Sequence, residues 1–215
     1  MRFNYKDTFL YKWASTMYKK HTVLKDPTIE IRRAYRNAFG CEPNLGNPKD
    51  LIEKIFWMEL YADITMWTVC EDKYKMRGFL EDKGLGEYLP RLYGKWDSIE
   101  EFAADYDTLP SGFVLKLNNG CGTVKIINNK SEHRKKELCK LLRRWLSLPY
   151  GYSNSGLHYL FIKPCILAEE LLNNSNVDIS PKSLIDYKLW CFDGKPESFF
   201  VTYNRTRSVV DYTLM

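Results

Sequence analysis

Phe113-Val114-Leu115-Lys116-Leu117-Asn118-Asn119-Gly120-Cys121-Gly122-Thr123-Val124-Lys125-Ile126-Ile127 is the stretch on which the reading of this chain turns. Phe113 to Leu117 reads as a strand, Asn118 to Thr123 as a glycine-bearing loop and Val124 to Ile127 as a second strand, which together make a hairpin. Lys116 ends the first strand just where the loop begins, so a cation stands beside exposed backbone. Polyphosphate binding needs a positive charge to neutralise the oxygens and peptide N–H groups free to approach them, and Gly120 and Gly122 leave room for both. Two glycines are also ordinary hairpin chemistry. With no Lys-Ser or Lys-Thr after them, the loop does not follow the Walker pattern.

Upstream of the hairpin the chain is mainly helical. Apolar residues recur at helical spacing from Thr28 to Phe39 and from Pro48 to Ala62, where Asn47-Pro48 reads as an N-cap followed by a proline at the first helical position. Asp72 to Leu80 reads as another helix, and Gly84, Gly86, Pro90 and Gly94 then mark a turn-rich connection. Ser98 and Glu101 form a capping box that opens a short helix to Ala104, and Pro110-Ser111-Gly112 turns the chain into the hairpin. Downstream, Leu138, Leu141, Leu142 and Trp145 follow helical spacing among Arg134, Lys135, Lys136, Lys140, Arg143 and Arg144, which predicts an amphipathic helix with a basic, solvated face. Tyr159–Ile162 and Cys165–Glu169 read as a strand pair or one strand bent at Pro164, and Asn173 to Pro181 as a polar loop. Ile185–Phe192 and Glu197–Tyr203 read as strands joined by the hairpin turn Asp193-Gly194.

Composition excludes several classes. The chain has 215 residues, 45% hydrophobic and 27% charged, with a net charge of +5, which suits a globular protein rather than a disordered or fibrous one. Its six cysteines, 41, 70, 121, 139, 165 and 191, show no Cys-x-x-Cys spacing and no histidine pairs, so free thiols in a reducing compartment are expected, not zinc or disulfides. No segment has the length of charge-free sequence that a membrane span needs, nor does Met1–Lys20 carry a secretion signal. No motif accompanies the basic residues that would point to nucleic acid. Near the N-terminus Phe9, Trp13 and Met17 share a helical stripe flanked by Lys6, Lys12, Lys19 and Lys20. Such a stripe ordinarily packs on the body of the protein; the alternative is peripheral contact with an anionic membrane.

Four further segments sharpen the reading. Asp72-Lys73-Tyr74, with Arg77 one turn on, precedes the hairpin; Leu109-Pro110-Ser111-Gly112-Phe113-Val114-Leu115-Lys116 leads into its first strand; Ile166-Leu167-Ala168-Glu169-Glu170-Leu171 and Asp186-Tyr187-Lys188-Leu189-Trp190-Cys191-Phe192-Asp193-Gly194-Lys195-Pro196 follow. In this order they resemble the TupA-like ATP-grasp family over about Asn44 to Asp211. That family is associated with teichuronopeptide and capsular polysaccharide biosynthesis in bacteria.

The resemblance implies an α+β, ATP-grasp-like fold: a helical N-terminal region, then antiparallel sheets with helices and a nucleotide cleft between lobes. The boundary is expected between a helical region, 1–71, and a nucleotide-binding region, 72–215. The implied activity is an ATP-dependent carboxylate-amine ligase, using ATP and magnesium on a carboxylate acceptor of a cell-surface polymer or precursor, in the cytoplasm or at the inner face of the membrane. By the same resemblance Lys73 and Lys116 hold phosphates, Asn118 and the loop residues Gly120, Cys121, Gly122 and Thr123 cover them, Glu169, Glu170, Leu171 and Leu172 form the adenine hinge, and Asp186 or Lys188 faces the nucleotide. The chain departs from the family in carrying Asn119-Gly120-Cys121-Gly122 where His-Gly-Ser-Gly is common. The family's magnesium carboxylates and asparagine lie C-terminal to the matched segment. With the sequence ending at Met215, they are expected to be missing from a truncated or split version, and no residue here is assigned to a metal.

Two other classes compete. Asp105-Tyr106-Asp107 is an Asp-x-Asp triplet of the kind that holds metal and nucleotide-sugar in glycosyltransferases, although a mostly helical region precedes it where alternating strands and helices belong. A non-catalytic module could bind nucleotide, or a polyanion through the Arg134–Arg144 face.

Overall fold

Helix starts in the N-terminal third are set by side-chain oxygens, the Thr8 hydroxyl for the first and carboxylates for those after it, that take up the free N–H groups of a first turn. The computed structural model describes residues 8–148, 150–152, 156–174, 183–205 and 211–214. Lys6 and most of the polar loop expected at 173–181 lie outside these residues. The chain divides into two compact units, Met1–Glu170 and Leu171–Met215, a different point from the compositional change at 71–72.

In the first unit α1 (Phe9–Lys25) is followed by α2 (Pro27–Phe39), which Asp26 caps by accepting the Thr28 N–H at 2.9 Å and which ends at Gly40 with φ 74°. Helix α3 (Leu51–Tyr61) begins later than Asn47-Pro48 predicts. Asp50 is its N-cap: the Asp50 carboxylate accepts the Glu53 N–H at 2.8 Å while the Glu53 carboxylate accepts from the Asp50 N–H and, at 2.7 and 2.6 Å, from those of Asn44 and Lys49. The incoming loop is thus wrapped on one carboxylate, and the helix starts at Leu51. Helix α4 (Thr65–Glu71) and α5 (Lys75–Asp82) follow. Asp72, expected inside α5, instead precedes it and accepts the N–H groups of Tyr74 and Lys75. Val23, Ile31, Leu45 and Leu157 form a small core among these helices.

The connection read as turns holds a strand, β1 (Leu92–Trp96). Glycine disguises it: the ladder shifts register at Gly94, where a β-carbon would lie 2.2 Å from the Trp96 ring. Helix α6 (Ile99–Asp105), capped by Ser98, leads to β2 (Phe113–Leu117) and β3 (Val124–Ile127), the antiparallel hairpin the sequence predicts. Helix α7 (Lys135–Leu146) and β4 (Ile166–Glu169) complete an antiparallel sheet of order β1-β4-β2-β3. Tyr159–Ile162, expected as a strand, fall instead mostly within a 3-10 turn, Leu157–Phe161. Their apolar run fits a buried turn as well as a strand, and length alone did not separate the two.

One sheet face is the core. Phe113, Leu115, Ile166 and Ala168 are fully buried there against Phe102 of α6 and Leu138, Cys139 and Leu142 of α7. Burying a side chain such as Leu115 stabilises by roughly 1.5–3 kcal/mol. Lys136, Lys140, Arg143 and Arg144 stand exposed on the other side of α7, as the amphipathic pattern predicts.

The second unit is a three-stranded antiparallel sheet of β5 (Asp186–Phe192), β6 (Lys195–Tyr203) and β7 (Asp211–Leu214), in that order. Asp193 and Gly194 both take positive φ, 49° and 74°, which is the backbone a two-residue hairpin turn requires. Strand β6 starts at Lys195, two residues before the expected Glu197.

Candidate functional site

Strand alternation puts Val114 and Lys116 on the sheet face opposite the core. The cross-strand register adds Val124 and Ile126 from β3 and Leu167 and Glu169 from β4 to the same face. Lys116 Nζ is ion-paired with Glu169 Oε2, and Arg77 Nη1 of α5 lies 3.6 Å from Glu169 Oε1. Arg77 is itself held by donating to the Pro90 carbonyl at 2.6 Å. Two cations therefore share one buried carboxylate, which leaves one net positive charge on a face whose neighbours Val124 and Ile126 are apolar and exposed.

At the end of β2 the loop is built around Asn118, only 1% exposed. Its side-chain amide donates to Asp72 Oδ1 at 2.9 Å and to the Lys163 carbonyl at 3.1 Å, and its Oδ1 accepts the Cys165 N–H at 2.7 Å. All side-chain hydrogen-bonding directions but one acceptor lone pair are used. Asn118, one of the residues the resemblance implies at the nucleotide, ties the Asp72-Lys73 segment to the starts of the loop and of β4. Lys73 reinforces the tie: its Nζ donates to the Gly120 carbonyl at 2.8 Å and to the Asn118 carbonyl at 3.4 Å, and its N–H donates to the Asn118 carbonyl at 3.0 Å. Burial lowers the Lys73 pKa from its ordinary value, partly offset by the neighbouring Cys121.

Gly120 and Gly122 have φ of 76° and 83°, a region that disfavours side chains. At Gly120 a β-carbon would also strike the Tyr150 ring at 2.5 Å, whereas Gly122 faces open space. Tyr150 is packed edge-on against Tyr159, centroids 4.7 Å apart, and the Tyr159 hydroxyl donates to Glu71 Oε2 at 2.5 Å. Burial, with that carboxylate, pushes the Tyr159 pKa up, so it is a neutral donor. Among the described residues no protein acceptor takes the N–H groups of Gly120, Cys121 or Gly122. The loop is thus braced through its carbonyls, with Gly120 buried and Cys121 and Gly122 exposed, and Lys116 lies at the end of the strand that feeds it.

That juxtaposition agrees with the family comparison, in which the TupA-like ATPgrasp family matches residues 53–213. The chain belongs to the TupA-like ATP-grasp family. No curated protein and no solved structure matched it. The family match spans the hairpin, Glu169 and both units, and the mixed helical and antiparallel fold is the one the family reading predicts.

The remaining expected residues divide. Glu170 lies at the end of the first unit; its carboxylate accepts the Arg91 N–H at 3.1 Å and its own N–H donates to the Arg91 carbonyl at 2.9 Å, which extends the β1–β4 edge. Leu171 is half-buried and Leu172 exposed at the start of the second unit. Asp186 and Lys188 of β5 point to the same side of their sheet and pair with each other at 2.7 Å, and Arg205 also donates to Asp186 at 3.0 Å. Thr123 closes the loop by accepting the Leu117 N–H at 3.2 Å.

Sequence reasoning passed over Asn118 as a structural node, Arg77 as the second cation on Glu169, and the Tyr150–Tyr159 brace. The Asp-x-Asp triplet has other work: Asp105 accepts the Trp96 indole N–H at 2.8 Å, Tyr106 is buried, and Asp107 accepts from Lys135 at 2.7 Å.

The face fits a polyphosphate: a cation, unclaimed loop amides and an apolar neighbourhood stand together. For magnesium the donor set is lacking. Among the described residues no three His, Cys, Asp or Glu side chains gather to hold an ion, and Glu169 is already between two cations.

Proposed function

We propose that this chain binds the polyphosphate of ATP on the Lys116 face of its first sheet, beneath the Gly120–Gly122 loop. We propose further that it serves ATP-dependent ligation of a carboxylate to an amine in bacterial teichuronopeptide or capsular polysaccharide biosynthesis. The observation that carries the binding reading is the cation at the end of β2 beside three unclaimed amides in a loop clamped by Lys73. A phosphate drawn to Lys116 competes with Glu169 for it, and Arg77 then keeps Glu169 neutralised, so loading the face strands no buried charge. In this reading Lys73 acts on the loop: its ammonium engages the Gly120 and Asn118 carbonyls and leaves the loop N–H groups for an anion. Val124 and Ile126 are suited to an apolar base.

In the reaction the family reading implies, a substrate carboxylate oxygen takes the γ-phosphoryl group and ADP leaves. An amine nitrogen then attacks the acyl carbon, phosphate departs with that oxygen, and the amine gives up a proton. The assignments of Glu169, Glu170, Leu171 and Leu172 to adenine, and of Asp186 or Lys188 to the nucleotide, follow the family resemblance. Consumption of ATP points to the cytoplasm as the place of reaction.

Calorimetric titration of ATP into wild type and Lys116→Met tests the reading. Binding by wild type and its loss in the variant, with an unchanged circular dichroism spectrum and melting curve, is the expected result. Equal affinity would sink the assignment. Tolerance of the wild-type affinity to salt separates a nucleotide site from general polyanion adhesion.

A further inference from the structure

Helix α1 is amphipathic in the wrong sense for a helix that packs on a body. Leu10, Trp13, Met17 and Leu24 share one side at helical spacing, and Leu10 is 73% and Leu24 66% exposed, with Phe9 and Trp13 also exposed. The side turned toward the rest of the unit carries Ser15, Thr16, Lys19, Thr22 and Val23, of which only Val23 is a buried hydrophobe. An ordinary surface helix does the reverse. Of the stripe expected to pack inward, Phe9 and Trp13 are exposed and Met17 is half-buried.

Charge identifies what the stripe suits. From Thr8 to Lys25 there is no Asp or Glu, but there are Lys12, Lys19, Lys20, Lys25 and His21. At one end of the stripe the Arg144 guanidinium sits 5.4 Å from the Phe9 ring, which brings the last turn of α7 beside the first turn of α1. Helix α7 adds Lys136, Lys140 and Arg143, exposed and, among the described residues, not paired with a carboxylate. Association of α1 with a second copy of itself would set lysines against lysines without an acidic partner. An anionic bilayer accepts both features, apolar side chains at the level of the acyl boundary and basic ones among phosphate headgroups. No helix among the described residues is long and apolar enough to cross a membrane, so the contact is peripheral.

We propose that the exposed apolar stripe of α1, with the basic row of α7, docks the protein on an anionic lipid surface. This is independent of the nucleotide reading, since none of these residues belongs to the Lys116 face. Flotation of the full chain with vesicles tests it, using phosphatidylcholine alone and an equal mixture of phosphatidylcholine and phosphatidylglycerol. Wild type is expected to float with the mixture and stay behind with phosphatidylcholine. Leu10→Ser/Leu24→Ser should lower partitioning about tenfold per leucine. Lys136→Ala/Lys140→Ala/Arg143→Ala, or high salt, should lower it through the charge term alone. Circular dichroism checks that both variants fold. Failure of folded wild type to float overturns the proposal. So does binding indifferent to the leucine pair, which would be adhesion by charge only. A dimer in sedimentation that the leucine pair dissolves, without vesicle binding, overturns it in favour of a second copy.

Discussion

The two sheets differ in what covers them. The first packs one face on α6 and α7, where Phe113, Leu115, Ile166 and Ala168 are wholly buried, and keeps charge on the other. In the second, Tyr187, Leu189, Trp190 and Phe192 are all exposed, and Thr202 alone of its described side chains is buried. A sheet with a core behind it can hold an ammonium, a guanidinium and a carboxylate in fixed places on its front, because their strands cannot shift register without uncovering the core. A sheet held mainly by cross-strand pairs has no such restraint. Lys116 stands on the first kind of support and Asp186 and Lys188 on the second.

The sharpest test of that contrast is Lys116→Met, expected to weaken ATP binding on the order of 100-fold, as truncation of a charged contact commonly does. In stability, Leu115→Ala should cost about 2–5 kcal/mol by denaturant titration, whereas Leu189→Ala should stay within about 0.5 kcal/mol. Similar losses from both would erase the distinction between the sheets. Asn118→Ala should cost about 1–3 kcal/mol, because it orphans the Cys165 N–H and removes a donor from Asp72, and it should loosen ATP binding as well. Gly120→Ala should destabilise more than Gly122→Ala: both meet positive φ, but only the first drives a methyl group into Tyr150. A larger effect at Gly122 would contradict the proposed brace.

The smallest effect belongs to the second sheet. The hydrogen bond from Lys188, followed by its charge and that of Arg205, holds the Asp186 pKa below its usual 3.8. A carboxylate with a depressed folded value contributes stability above its unfolded pKa and loses it as pH falls through the folded one. Acid titration followed by tyrosine and tryptophan fluorescence should therefore show a small loosening below about pH 4 that Asp186→Asn lacks. An identical acid limb in that variant would mean the pair contributes nothing.

Much of this was legible from local pattern. Alternation in Phe113–Leu117 and the turn Asp193-Gly194 each describe a local event, and both hairpins follow. The errors fall where two local signals competed. Asn47-Pro48 reads as a helix start, but the structure caps the helix with Asp50 and Glu53, whose carboxylate also gathers N–H groups from Asn44 and Lys49. Gly94 reads as a breaker and is a register shift within a strand that another strand covers. Lys116 and the glycines of the loop were evident as chemistry. That Asn118 and Lys73 brace the loop was not, because their partners lie about 45 residues away.

Sequence by itself determined the two hairpins, the amphipathic α7, the cation at position 116, the glycines of the loop and the family, since periodicity, turn chemistry and short motifs are properties of neighbours along the chain. Tertiary structure decided which groups meet. Arg77 beside Glu169, Tyr150 beneath Gly120 and the outward apolar face of α1 depend on which surfaces of distant elements pack, and that is fixed by burial and charge summed over the fold.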